Sequence, residues 1–186
     1  MASGIRAGYS RGVNDDAWKA EFRGVWDAAV DAYGAGERSP KNCIEASDRE
    51  YLATLGCSAQ ELFDFVEDHA SDGEPGFDEV LGVTALRRDW FLTVQGGKAS
   101  GQRRSVNEFP AKSAALAGVP WLPRILAKAE AKLRGELPAE LMYGCGGDRA
   151  FLRGIGVGLT EFLAAVREAK GDEKPVVALV KRRSPL

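Results

Sequence analysis

The chain has 186 residues, 45% of them apolar, and a formal charge of −2, enough for one substantial core or two small ones. No run approaches the roughly 20 apolar residues of a membrane span. The opening stretch MASGIRAGYSRGVNDD lacks the apolar segment of a signal peptide, so a cytoplasmic protein without membrane contact is expected.

The charge is unevenly spread. Residues 1–100 carry 10 Lys/Arg against 18 Asp/Glu, a net of −8, and residues 101–186 carry 15 against 9, a net of +6. Halves of opposite sign attract one another within or between chains, or present a basic face to a polyanion. His69 is the only histidine, which excludes a His-rich metal site and any scheme that needs two histidines. Cys43, Cys57 and Cys145 form no CxxC pair and are expected as reduced thiols. No metal, cofactor or catalytic residue is assigned.

After an N-terminal tail (1–13), Asn14 is placed to cap a long helix, DDAWKAEFRGVWDAAVDAYG, with Trp18, Phe22, Val25, Trp26, Ala29 and Tyr33 on one face. A connection containing Pro40 follows. Asp48 is expected to cap a short helix that ends at Gly56, with Gly56 in the left-handed C′ position. Ser58 and Glu61 form a capping box at the head of a third helix. A fourth follows the DGEPG turn with Pro75 close to its first turn.

Residues 96–110, rich in Gly, Ser, Lys and Arg, read as a linker. Beyond it the pattern returns. DREYLATLGCSAQELFDFV (48–66) aligns without a gap on DRAFLRGIGVGLTEFLAAV (148–166), and the same offset of 100 extends to both flanks. The first helix of the second copy is VPWLPRILAKAEAKLRG, with Leu122, Ile125, Leu126, Ala129 and Leu133 as its stripe. Asp148 is expected as the cap of the short helix. Gly158 takes the next cap position with Glu161 keeping its role, and the last helix follows the DEKP turn. No strand-like alternation bounded by hairpin signals is found. The expectation is an all-α protein of two tandem units of about four helices, 14–95 and 111–186, packed pseudo-symmetrically.

The glycines of RGIGVGLTEF (153–162) are read through this repeat. Only Gly156 recurs, as Gly56, and no strand precedes the turn, so a nucleotide-binding loop is excluded. The segment is similar to a helix-hairpin-helix pattern, in which Gly154 and Gly156 bring backbone N–H groups to a DNA phosphate. Arg149 and Arg153 supply charge beside it.

The stretch from Gly118 to Asp172, opening GVPWLPRILAKAEAKLRG and continuing through MYGCGGDRAFLRGIGVG, resembles the bacterial proteins grouped as domain of unknown function 5069. The likeness covers about residues 105–180. The family motif falls on Pro123, Arg124, Lys128, Tyr143, Cys145, Asp148 and Arg149. The first half keeps Asp48 and Arg49 but lacks the LPR entry, so it reads as a diverged copy. The resemblance implies the helical unit and a bacterial cytoplasmic setting, and it implies no activity.

The pairs Asp48–Arg49 and Asp148–Arg149 suit helix caps with an arginine bridging to nearby carbonyls. Arg124 and Lys128, four residues apart on one helix, are candidates with Arg149 for an anion pocket. Tyr143, Cys145, Asp148 and Arg49 join them as anion- or partner-binding candidates. Cys145, beside a helix N-terminus and Arg149, is also a candidate nucleophilic thiol, although no histidine stands near as a base. The reading preferred is a non-enzymatic protein-interaction or scaffold module, self-association included. Nucleic-acid binding through Gly154, Gly156, Arg149 and Arg153 is the alternative, and a thiol enzyme or anion-binding protein comes third.

Overall fold

The computed structural model describes residues 16–184; the tail and the expected Asn14 cap lie outside them. Among the described residues the chain is predominantly α-helical. Its helices are α1 (Ala17–Gly34), α2 (Pro40–Cys43), α3 (Ala46–Thr54), α4 (Ala59–Asp72), α5 (Phe77–Thr93), α6 (Leu122–Arg134), α7 (Gly146–Gly154), α8 (Leu159–Ala169) and α9 (Glu173–Arg183).

In α1 the buried residues are Phe22, Val25, Trp26 and Ala29, the i, i+3, i+4, i+7 stripe, and this face packs on α4. Asp16, at the head of α1, makes no side-chain cap. Ser39 caps the single turn of α2, with Pro40 at its first position. Gly56 and Gly156 close α3 and α7 at φ +73° and +63°, the left-handed conformation expected of them. The Ser58–Glu61 capping box is fully formed at α4.

Several local expectations are corrected. Asp48 and Asp148 do not cap α3 and α7; the cap positions are Glu45 and Cys145, neither with a side-chain cap bond, and the aspartates sit three residues further in. A carboxylate there is still attracted to the positive end of the helix, which is why the sequence pattern misleads by nearly one turn. Glu161 does not repeat the part of Glu61. Gly158 has no side chain to accept from it, and Glu79 of α5 instead accepts the Leu159 N–H at 2.9 Å while Glu161 meets Arg183.

The linker region also proves structured. Ser105 and Glu108 box a short 3-10 turn (Val106–Glu108), Phe109 is buried, and the Arg104 N–H donates to the Glu136 carbonyl at 3.0 Å. A two-stranded hairpin follows, β1 (Ala115–Leu116) against β2 (Val119–Pro120), contrary to the absence of strands expected from sequence. Ala117 and Gly118 both have positive φ, which matches the twist a two-residue hairpin needs.

α5 ties the halves together: it packs chiefly on α8 and α6, which belong to the second half, and less on α1. The buried apolar residues consequently form one continuous core that runs from Phe22 to Val180. Where α5 crosses α8 the approach is close, because Gly82 faces Thr160 without a Cβ between them.

Candidate functional site

The residues singled out in the second half converge where α6 meets α7. α6 opens on Trp121, held at φ +69° with its N–H bonded to the Ala114 carbonyl. Such a conformation is unfavourable for a bulky residue and persists only where surrounding contacts impose it. Here the indole Nε1–H donates to Asp148 Oδ1 at 2.9 Å, and its ring covers Gly147, whose Cβ, if present, would lie 2.5 Å from it. Asp148 is wholly buried. Its Oδ2 accepts from the Lys128 ammonium and from the Gly144 N–H at 2.9 Å. Lys128, 2% exposed, reaches down α6 and also donates to Cys145 Sγ at 3.2 Å. A buried ion pair results in which both carboxylate oxygens accept and the ammonium has two acceptors, the kind of pairing under which burial of charge is tolerated.

The remaining candidates are placed around this pair. Tyr143 is buried, and its hydroxyl donates to the Leu159 carbonyl at 2.7 Å; burial above all, then Asp148 and Glu79, pushes its pKa well above the ordinary value. The phenol stays protonated and acts as a clamp on the start of α8. Arg149, 7% exposed, donates to Asp68 at 2.6 Å and to the Gly144 carbonyl at 2.8 Å, with Asp72 and Glu74 at 3.7 and 3.9 Å. Arg49 makes the matching contact in the first half, to the Ile44 carbonyl, and a second to the Lys41 carbonyl at 3.1 Å. Arg124 turns away to the Pro110 carbonyl at 2.6 Å.

Arg124, Lys128 and Arg149 therefore do not assemble as one cation-rich pocket. Each guanidinium or ammonium is committed to a different acceptor, and two of the three face carboxylates. Cys145 is half-buried, while Cys43 and Cys57 are buried. Burial is the largest influence on both, raising Cys43 and pushing Cys57 up to about 11.

No protein-family model matches this chain, nor does any curated protein or solved structure. Function must be read from the site itself.

At the Gly154–Gly156 turn, Arg153 is exposed and pairs with Glu74, which lies near Arg149 as well. The two arginines do share one face, but Asp68, Asp72 and Glu74 share it with them. A cleft of about 360 Å³ opens there between α5, α7 and α8, lined by Glu74, Glu79, Arg149 and Arg153. Among the described residues no group of three or more His, Cys, Asp or Glu is arranged to hold a metal, and no helix is long and apolar enough to cross a membrane.

Three charged groups escaped the sequence reading. Lys132 is 2% exposed and pairs with Glu61 of α4 at 2.8 Å. Asp68 receives Arg149, and Arg87 lies 1% exposed within α5. The signal was present in part: Arg87 occupies a core position of the stripe Val80, Val83, Thr84, Arg87, Phe91, and Lys128 and Lys132 lie on the buried side of α6.

Proposed function

We propose that this chain is a non-enzymatic protein-interaction module of the bacterial cytoplasm, built on a duplicated helical unit and associating with itself through faces of opposite charge. The observation that carries the reading is the outward charge split. Glu21, Asp27 and Asp31 are exposed along α1, with Lys19 and Arg23 interspersed among them and Arg23 3.9 Å from Asp27, whereas Lys181, Arg182 and Arg183 are exposed at the end of α9. The charged groups of the interior, Lys128, Asp148 and Arg149, are consumed by partners within the fold. Duplication is supported by the bounds of α3 and α7, which repeat residue for residue at the offset of 100, and by the paired contacts of Arg49 and Arg149. The bacterial setting is part of the same proposal and rests on the sequence resemblance of residues 105–180 to domain of unknown function 5069 alone.

Nucleic acid stands second. A polyanion approaching the Gly154–Gly156 turn meets Asp68, Asp72 and Glu74 along with Arg153, which sets repulsion against phosphate neutralisation.

Sedimentation velocity at about 50 and 500 mM salt tests self-association, since surface charge pairing is screened over that range. The expected result is a dimer at low salt that dissociates at high salt. Asp27→Lys with Asp31→Lys, or Lys181→Glu with Arg182→Glu, breaks it, and an equimolar mixture of the two variants restores a dimer. A monomer at low salt at every concentration overturns the reading.

A further inference from the structure

The buried guanidinium of Arg87 makes no ion pair with a carboxylate among the described residues, although the charges of Glu61 and Glu136 are close enough to favour its charged form. Its Nε donates to the Gly56 carbonyl at 2.8 Å, and Nη1 donates to Gln95 Oε1 at 2.6 Å and the Leu133 carbonyl at 2.9 Å. These acceptors sit at the C-terminal ends of α3, α5 and α6, whose partial negative charge explains how the cation is tolerated. They do not use Nη2. Every fully buried side-chain polar atom among the described residues has a partner, so Nη2, which has none there, is not wholly enclosed, although Arg87 as a whole is buried. Arg87 lines a cleft of about 180 Å³, with Gly56, Ser58, Glu61, Arg103 and Gly135 also in its walls. Gly135 lies directly against that nitrogen, and a Cβ there would stand 2.5 Å from Nη2 and crowd it.

The charge within the cleft is positive. Glu61 is its carboxylate, and both oxygens are occupied: Oε1 by Lys132, Oε2 by the Ser58 N–H at 2.8 Å. Arg103, at the exposed rim, makes no ion pair among the described residues. One guanidinium in the floor with two N–H bonds unused, and a second at the mouth on a flexible stem, form a donor set for an oxyanion. A single phosphate or carboxylate group with its hydration fills such a volume.

We propose that the cleft between Arg87 and Arg103 binds a small oxyanion, a phosphate or carboxylate group, held by Nη2 of Arg87 and closed over by Arg103. The site lies where the α3–α4 junction, α5, the end of α6 and the 96–104 segment meet, so occupancy joins both halves of the chain. Its geometry does not depend on self-association.

The experiment is a ¹H–¹⁵N NMR titration of the full chain that follows the Arg87 Nε–Hε cross-peak, with inorganic phosphate, acetate and chloride at matched ionic strength. Saturable movement of that peak with phosphate and none with chloride is expected. Acetate moving it as well supports the same site for oxyanions in general, and the tighter of the two marks the preferred ligand group. Arg103→Ala, an exposed change that leaves the core intact, weakens the apparent affinity at least tenfold, and Arg103→Lys retains part of it. An Arg87 peak unmoved by both oxyanions overturns the proposal, as does binding that Arg103→Ala and Arg103→Glu leave unchanged.

Discussion

Glu61 of α4 and Lys132 of α6 form a buried ion pair at 2.8 Å, 71 residues apart in the chain, and the same carboxylate completes the capping box of α4. Burial, the largest influence, pushes the Glu61 carboxyl up. The Lys132 charge and hydrogen bond, with the Ser58 N–H, outweigh burial and hold the carboxyl below its usual value. A carboxylate whose folded pKa lies below its unfolded one contributes stability above the unfolded value, and loses it as pH falls through the folded value. Glu61→Gln leaves Lys132 buried and uncompensated, at a cost of about 3 kcal/mol near neutral pH. In urea titrations the gap between wild type and variant should begin to narrow below about pH 4.3 and close as pH falls through the folded value. A gap of the same size in acid contradicts the assignment.

Asp64, one helical turn along α4, behaves in the opposite sense. Burial raises its carboxyl to about 6, although Gln60 and Lys132 pull it down. Because the folded value exceeds the unfolded one, ionisation opposes folding. Stability contributed by the neutral acid is complete below about pH 4 and is lost as pH rises through 6. Asp64→Asn keeps an acceptor for Gln60 and removes the charge. It should stabilise the protein at pH 7.5 by about 1 kcal/mol, allowing for partial solvation, and by nothing in acid.

The three thiols separate by exposure. A charged disulfide reagent should titrate one thiol quickly in the native protein, that of Cys145, and all three in denaturant. Cys43 and Cys57 are buried with their thiols pushed upward, so neither presents thiolate to the reagent. Cys145→Ser should abolish the fast phase and leave the slow ones. A second fast thiol shows that α2 or the α3–α4 junction opens in the native state.

What the sequence made legible was local. The α1 stripe, the two left-handed glycines and the Ser58–Glu61 box each depend on residues within a turn or two of one another, so spacing alone reveals them. Buried charge is decided elsewhere. Lys128 and Lys132 are ordinary surface residues by composition, and only Asp148 and Glu61, brought from 20 and 71 residues away, make their burial possible. The same reason hid Arg87, whose acceptors are carbonyls at the ends of other helices. The 115–120 hairpin has two residues per strand, too few for any alternation, and its Ala117–Gly118 turn lacks the Asn-Gly or Asp-Gly pair by which such turns are read.

The crossing of α5 and α8 makes a separate prediction. A Cβ at Gly82 would lie 2.9 Å from Thr160 Cγ2 and closer still to its Oγ1. Gly82 is helical, so alanine there gains about 1 kcal/mol of helix propensity but must displace α8. Overpacking of this kind typically costs about 1–3 kcal/mol, so the net change should be destabilising. Thr160→Ala removes the obstructing atoms, and the double variant should recover the loss. Additive effects of the two changes rule out the close crossing.

Asp148 is the hub of the α6–α7 junction, and the two halves of its ion pair should not be equivalent. Asp148→Ala leaves the Trp121 indole N–H and the Gly144 N–H without their acceptor and the Lys128 ammonium without its counter-charge, with Cys145 Sγ as its remaining acceptor. A buried cation without its counter-charge costs about 3–5 kcal/mol, and it is joined here by two unsatisfied neutral groups. Lys128→Met is milder. The carboxylate keeps its bonds from Trp121 and Gly144, and methionine fills the channel that the lysine stem occupied, so about 2 kcal/mol is expected. The Trp121 indole N–H resonance distinguishes the two without reference to stability: it should stay at its hydrogen-bonded position in Lys128→Met and move in Asp148→Ala. If Lys128→Met proves the more costly change, the junction is organised around the ammonium, and the left-handed Trp121 is held by its ring packing on Gly147 and not by the carboxylate.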